Sequence, residues 1–222
     1  MRPKIAVILD ENTSKGGDRY EATHDYIHAI VNNGGDPYGI FYTPHMQHNV
    51  VKEFDGILNI GGGIAFPEDW LADGYQNPYN TSARMDVEIA IMQDFLNADK
   101  PVFGICHGMQ ALAGLYGCKI HGDIKQEEHW RKDHAVTLTP KSHLAAITRT
   151  TELAVNSYHR QGITDTAHPN AQIAAHAHDG IIEGIEIKNK KFALGVLWHQ
   201  EKFWHTDHPG NRIFDAFIKA CA

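Results

Sequence analysis

The stretch Pro101-Val-Phe-Gly-Ile-Cys-His-Gly-Met-Gln-Ala-Leu-Ala-Gly-Leu-Tyr116 leaves a chain few ways to fold. A short apolar run of strand length stops at Cys106, and a run of small, helix-favouring residues begins at once. The pattern predicts a strand, a tight turn and a helix, with the cysteine at the turn. Gly104 and Gly108 bracket it in a Gly-x-Cys-x-Gly frame, the thiol counterpart of the Gly-x-Ser-x-Gly elbow, where the sharp turn leaves no room for side chains two residues either side. The thiol is thereby presented at the first turn of a helix, whose unpaired N–H groups and positive dipole end favour thiolate over thiol. The competing account of such a cysteine is a small buried hydrophobe.

The rest of the chain alternates around this unit. Lys4 to Asp10 reads as a buried strand, Glu11 to Asp18 as a loop, Tyr20 to Asn33 as a helix closed by Gly34-Gly35-Asp36-Pro37, and Tyr38 to Tyr42 as a second strand. A third strand, Phe54 to Ile60, ends in Gly61-Gly62-Gly63, which exposes backbone N–H groups to a ligand or forms a flexible turn. Pro67 to Asn80 is a long irregular loop, and Ser82 to Asn97 a helix leading into the elbow strand. Strands alternating with helices predict an α/β fold with a central, mostly parallel sheet flanked by helices. Beyond the elbow helix the runs Ala135–Thr139, Ala145–Arg149, Gln172–Ala177, Ile181–Ile187 and Phe192–Trp198 predict an antiparallel excursion, with a hairpin at Asp179-Gly180. Asn211 to Ala222 closes the chain as an amphipathic helix, and residues 1–222 are expected to form a single domain.

Composition narrows the function classes. A formal charge of −7, from 20 basic and 27 acidic residues, argues against a nucleic-acid footprint. No segment approaches the length of a membrane span, the apolar start is too short for a signal peptide, and three cysteines make no even framework. A reducing, cytoplasmic setting is expected. Sixteen histidines invite a metal, yet most are scattered and no Cys-x-x-Cys spacing is present, so no metal or other cofactor is expected. His24, His28, His45, His48, His121, His129, His134 and His143 then read as surface or capping residues, and His205-Thr-Asp-His208 as a turn before the last helix.

A thiolate nucleophile needs a base, and the base needs a group to hold its tautomer. The strand Phe192–Trp198 runs into His199-Gln200-Glu201, where residues two apart in extended backbone point the same way. Glu201 can accept one ring N–H of His199 and leave the other nitrogen for Cys106; an exposed ion pair at a strand end is the plainer alternative.

These residues resemble a known family. Gly104-Ile-Cys-His-Gly-Met-Gln110, Gly61-Gly62-Gly63 and Gly195-Val-Leu-Trp-His-Gln-Glu201 look like the class I glutamine amidotransferase-like superfamily with its Cys-His-Glu triad. Arg84-x-Asp86-x-Glu88 and Val155-Asn-Ser-Tyr-His-Arg-Gln161 resemble its gamma-glutamyl-gamma-aminobutyrate hydrolase branch, the peptidase C26 type. The resemblance implies a flavodoxin-like α/β fold with Cys106 as nucleophile, His199 as base and Glu201 as orienter, and backbone N–H groups of Gly62 and His107 as oxyanion hole. It implies that Gly62, Gly63, His107, Gln110, Ser157, Tyr158 and His159 bind substrate. Arg84 and Arg160 are the candidates for holding its α-carboxylate, or else structural ion-pair residues. His107 stands where the family commonly has arginine, and Gln200 where it usually has proline. The implied reaction is cleavage of a small-molecule gamma-glutamyl amide through a thioester. A glutaminase subunit passing ammonia to a synthetase partner shares that chemistry, and a non-catalytic binding protein shares the fold; homodimerisation is left open.

Overall fold

The computed structural model describes residues 1–12, 18–42, 47–122 and 124–222. Residues 13–17 of the expected loop, His45 and the His48 side chain lie outside the described set. One sheet contains nine strands: β1 (Lys4–Ile8), β2 (Asp36–Ile40), β3 (Gly56–Asn59), β4 (Val102–Ile105), β5 (His134–Leu138), β6 (Glu152–Val155), β7 (Ala171–Ala177), β8 (Ile182–Ile187) and β9 (Ala193–Val196). Their order across the sheet is β2-β1-β3-β4-β9-β8-β7-β5-β6. The strands from β2 to β9 are parallel and those from β8 outward antiparallel; Phe192–Trp198, expected in the antiparallel excursion, instead supplies β9, parallel to β4.

The parallel strands are apolar at nearly every position because both faces are covered. Ile5 and Val7 of β1 point into one hydrophobic cluster, Ala6 and Ile8 into the other. The first is roofed by helix α1 (His24–Asn32) and the C-terminal helix (Arg212–Cys221), through Ile30, Ile213, Phe214 and Phe217. The second is roofed by α2 (Gln47–Glu53), α3 (Ala83–Asn97) and α4 (His107–Leu115), through Val50, Ile91, Phe95, Met109 and Leu112. Among the described residues no helix is long and apolar enough to cross a membrane.

Three local expectations are corrected. Ala145–Arg149 belongs to a helix, His143–Thr148, not a strand. Ser142 caps it by accepting the Ala145 N–H at 3.0 Å, Leu144 and Thr148 are buried four apart on one face, and Arg149 closes it in the left-handed region at φ 59°. The first strand ends at Ile8, and Asp10–Asn12 pairs with Arg19–Glu21 as a small antiparallel ribbon. The last sheet strand stops at Val196, two residues before Trp198, and this sets up the site.

Candidate active site

Strand β9 crosses the chain to lie beside β4, with Val196 opposite Ile105. The residues that follow the two strands therefore emerge together at the carboxyl edge of the sheet. Cys106 is the first residue past β4, at φ 53° and ψ −107°, a conformation a side chain rarely adopts and one that stores strain at the N-terminus of α4. Both bracketing glycines are demanded by space. A Cβ at Gly104 would lie 2.8 Å from the Met109 nitrogen, and one at Gly108 2.7 Å from the Asn59 carbonyl carbon. Cys106 is less open than the elbow suggests, 8 % exposed under the His199 ring.

The His199 ring lies beside Cys106, both within reach of a Cβ built at Gly61, and its Nδ1 is 2.7 Å from Glu201 Oε1. The pair forms in a different way from the extended alternation expected. The chain turns into a 3-10 segment, Gln200–Phe203, directly after His199, and the turn folds Glu201 back beneath the ring. Burial disfavours a charged His199, but the Glu201 carboxylate and the Cys106 sulfur outweigh it and raise the ring to about 10.

Two residues missed by sequence reasoning hold this arrangement. Tyr26, read there only as part of an apolar helix face, accepts the Gly61 N–H at 3.1 Å and places its hydroxyl 3.4 Å from His199 Nδ1. Burial, then Glu201, pushes its phenol well above the usual range, so it stays a donor. Asn156 pairs with the His199 backbone like a neighbouring strand: Nδ2 donates to the carbonyl and Oδ1 accepts the N–H, both at 2.9 Å. A cavity of about 400 Å³, lined by Tyr26, Gly61, Gly62, His199, Glu201 and Lys202 among others, opens beside the ring.

The other expected site residues divide. Gly62 lies in the cavity wall, and a Cβ there would collide with the Arg84 guanidinium; Gly63 packs near the Tyr79 ring. The Tyr158 ring meets His199 edge-on at 5.5 Å. Arg84, by contrast, is fully buried and spent. It donates to Asp10, Glu88 and the Ile60 and Gly61 carbonyls, bracing the glycine loop from below. The His107 side chain does not line the cavity; it is buried, stacked on Phe66 with Nε2 3.2 Å from Glu88 Oε1. Gln110 donates to the Gln161 carbonyl, and Ser157 donates to the His129 carbonyl; both are buried tie points. His159 is buried on Glu183. Arg160 stacks 4.1 Å above Trp130. The reading of the histidines as surface or capping groups fails at His129, which is 1 % exposed, and at His134, which packs beside it against Glu183. It holds at His208, which accepts the Gly210 N–H.

With this geometry fixed, comparison with known proteins decides the family. The Peptidase C26 family model matches residues 3–201. The chain belongs to the peptidase C26 family. Gamma-glutamyl-gamma-aminobutyrate hydrolase PuuD of Escherichia coli (strain K12) is 27% identical over 240 residues, covering 99% of this chain and 93% of that protein. Protein NtpR of Enterococcus hirae is 26% identical, covering 96% and 95%. Among solved structures, a putative GMP synthase subunit from Thermoplasma acidophilum matches with a TM-score of 0.69 at 19% identity, over 100% of this chain and 94% of that one. The glutaminase domain of Trypanosoma brucei CTPS with bound acivicin matches at 0.68 and 15%, over 99% and 93%. At such identities the structural matches speak for the fold alone. Family and fold together make this C26 chain an amidohydrolase of the class I glutamine amidotransferase-like superfamily.

The C26 chain's departure at Gln200 has a structural reason. Its side chain is buried, accepts the Trp198 indole N–H at 2.9 Å and reaches Asn211 at 3.4 Å, so hydrogen bonds fix the turn that a proline ring would otherwise stiffen.

Proposed function

We propose that this C26 protein hydrolyses a gamma-glutamyl amide through a Cys106 thioester, with His199 and Glu201 completing a triad. The observation that carries the reading is the strained Cys106 elbow under a His199 ring whose far nitrogen lies 2.7 Å from Glu201. The Cys106 sulfur attacks the gamma-carbonyl carbon, and its proton resides on His199. Backbone N–H groups of Gly62 and His107 bind the developing oxyanion, and losing one such donor costs about 10²–10³ in rate. His199 gives its proton to the leaving nitrogen, the C–N bond breaks and the free amine departs. Water then attacks the thioester with His199 as base, releasing glutamate and restoring the thiol.

Of the two arginines expected to hold the α-carboxylate, Arg84 is consumed by Asp10 and Glu88, so Arg160, stacked on Trp130, is the one that stays a candidate. Purified protein mixed separately with gamma-glutamyl amides of small amines and with glutamine is expected to release the small amine without any added protein. Release of ammonia from glutamine only after a synthetase is added would favour the glutaminase reading, and no release from either would favour an idle triad.

A further inference from the structure

Away from the triad, behind the loop that carries Asn156, a fully buried carboxylate gathers three imidazoles. Glu183 Oε1 lies 3.4 Å from His129 Nδ1, 3.2 Å from His134 Nε2 and 3.2 Å from His159 Nε2. The donor atoms of His129, His134 and Glu183 all fall within 4.8 Å of one another.

The outer hydrogen bonds fix which ring nitrogens are free. His129 Nε2 sits 3.0 Å from the Asp179 carboxylate and His159 Nδ1 3.1 Å from the Gln161 carbonyl, both acceptors, so these nitrogens carry the protons. In the neutral rings His129 Nδ1 and His159 Nε2 are then lone pairs, and both face a carboxylate oxygen. Lone pairs against a carboxylate repel unless a cation stands among them. Nor do shared protons account for every contact. His129 Nδ1, both nitrogens of His134 and Glu183 Oε2 are buried with no aligned hydrogen-bond partner, although neighbours lie at contact distance.

The three spacings from Glu183 Oε1, 3.2–3.4 Å, match the edges that meet at one corner of a tetrahedron whose centre lies about 2.0–2.2 Å from nitrogen and oxygen ligands. With neutral rings, Asp179 and Glu183 contribute two negative charges, which one divalent ion balances. The Asp179–His129 contact is the outer carboxylate that commonly orients a metal-bound imidazole.

We propose that His129 Nδ1, His134 Nε2 and the Glu183 carboxylate bind a zinc-class divalent ion, with His159 completing a closed, structural coordination shell. The ion would tie the segments carrying His129, His134 and His159 to β8, and so brace the loop whose Asn156 holds His199. This site is independent of the triad.

The test is metal analysis of the intact chain after dialysis in metal-free buffer. The wild type is expected to retain about one zinc per chain, as is Cys106→Ser, while Glu183→Gln and His134→Ala fall below about a tenth. Because the variants can fail to fold, chelated wild type is also titrated with Co²⁺ alone. Tetrahedral d–d bands without thiolate charge transfer, and a Tm that rises on adding Zn²⁺, are expected. A wild type that retains no ion, shows no cobalt bands and keeps its Tm unchanged by Zn²⁺ would overturn the site in favour of a proton-held cluster. Loss of the ion in Cys106→Ser would overturn it in favour of binding at the triad.

Discussion

At the scale of single residues, three side chains around one ring carry different weights. Cys106→Ala removes the sulfur proposed to form the thioester, so amine release should fall to background while urea unfolding stays close to wild type. Glu201→Gln keeps the shape but loses the charge that holds the His199 tautomer. A drop in kcat of roughly three to four orders of magnitude is expected, following the behaviour of neutralised triad carboxylates. Tyr26→Phe removes one hydrogen bond from the Gly61 N–H and one beside His199 and Glu201. Hydrogen bonds to charged groups contribute about 1.5–3 kcal/mol, so kcat should fall roughly 10–100-fold. A Tyr26→Phe enzyme with unchanged kcat would remove the phenol from the positioning role. None of Tyr26's role was legible in the sequence, where a tyrosine at helical spacing reads as core. That Cys106, His199 and Glu201 meet at one sheet edge was legible because they follow the ends of two strands of the same sheet.

At the scale of elements, strand endings do most of the positioning. The turn at Cys106 could be placed from sequence because the glycine bracket is a local, steric signal. Ala145–Arg149 was misjudged because five alternating residues fit a short strand as well as a capped helix, and only the Ser142 cap and Arg149 closure separate the two. The depth of the Glu183 cluster was hidden too, since His129, His134 and His159 reach one carboxylate from three separate stretches and no spacing rule joins them. The elbow itself makes a sharp prediction. Gly108→Ala would drive a methyl into the Asn59 backbone, and overpacking of this kind costs about 1–3 kcal/mol, read as a lower urea midpoint. Arg84→Met tests the brace under the glycine loop. It takes the arginine from the buried Glu88, leaving it Asn59 and His107, and leaves Asp10 without its partner; breaking such a buried pair costs about 3–5 kcal/mol. Stability close to wild type in Arg84→Met would show that the loop does not depend on that network.

At the scale of the whole molecule, the parallel half of the sheet supplies Cys106 and the antiparallel half supplies the Asn156 loop, and β9 joins them. That topology also sets how stability follows pH. His199 is raised in the fold to about 10 from 6.5, so its proton favours the folded state. The contribution is whole below about pH 6.5 and is lost as pH rises through 10. Glu88 runs the other way: burial raises its carboxyl, His107 and Arg84 outweigh the burial, and the net shift is downward. Its contribution is present above the ordinary carboxylate range and is lost as pH falls through the folded value. Urea titrations should show stability declining on both sides of neutrality, and His199→Gln should flatten the alkaline side alone. The most direct test of the thioester route is intact-protein mass spectrometry, acid-quenched within milliseconds of mixing with a gamma-glutamyl amide. One glutamyl group is predicted on wild-type protein, mapped to Cys106 and absent from Cys106→Ala. Undiminished amine release by Cys106→Ala, with no acylated Cys106 in the wild type, would contradict it.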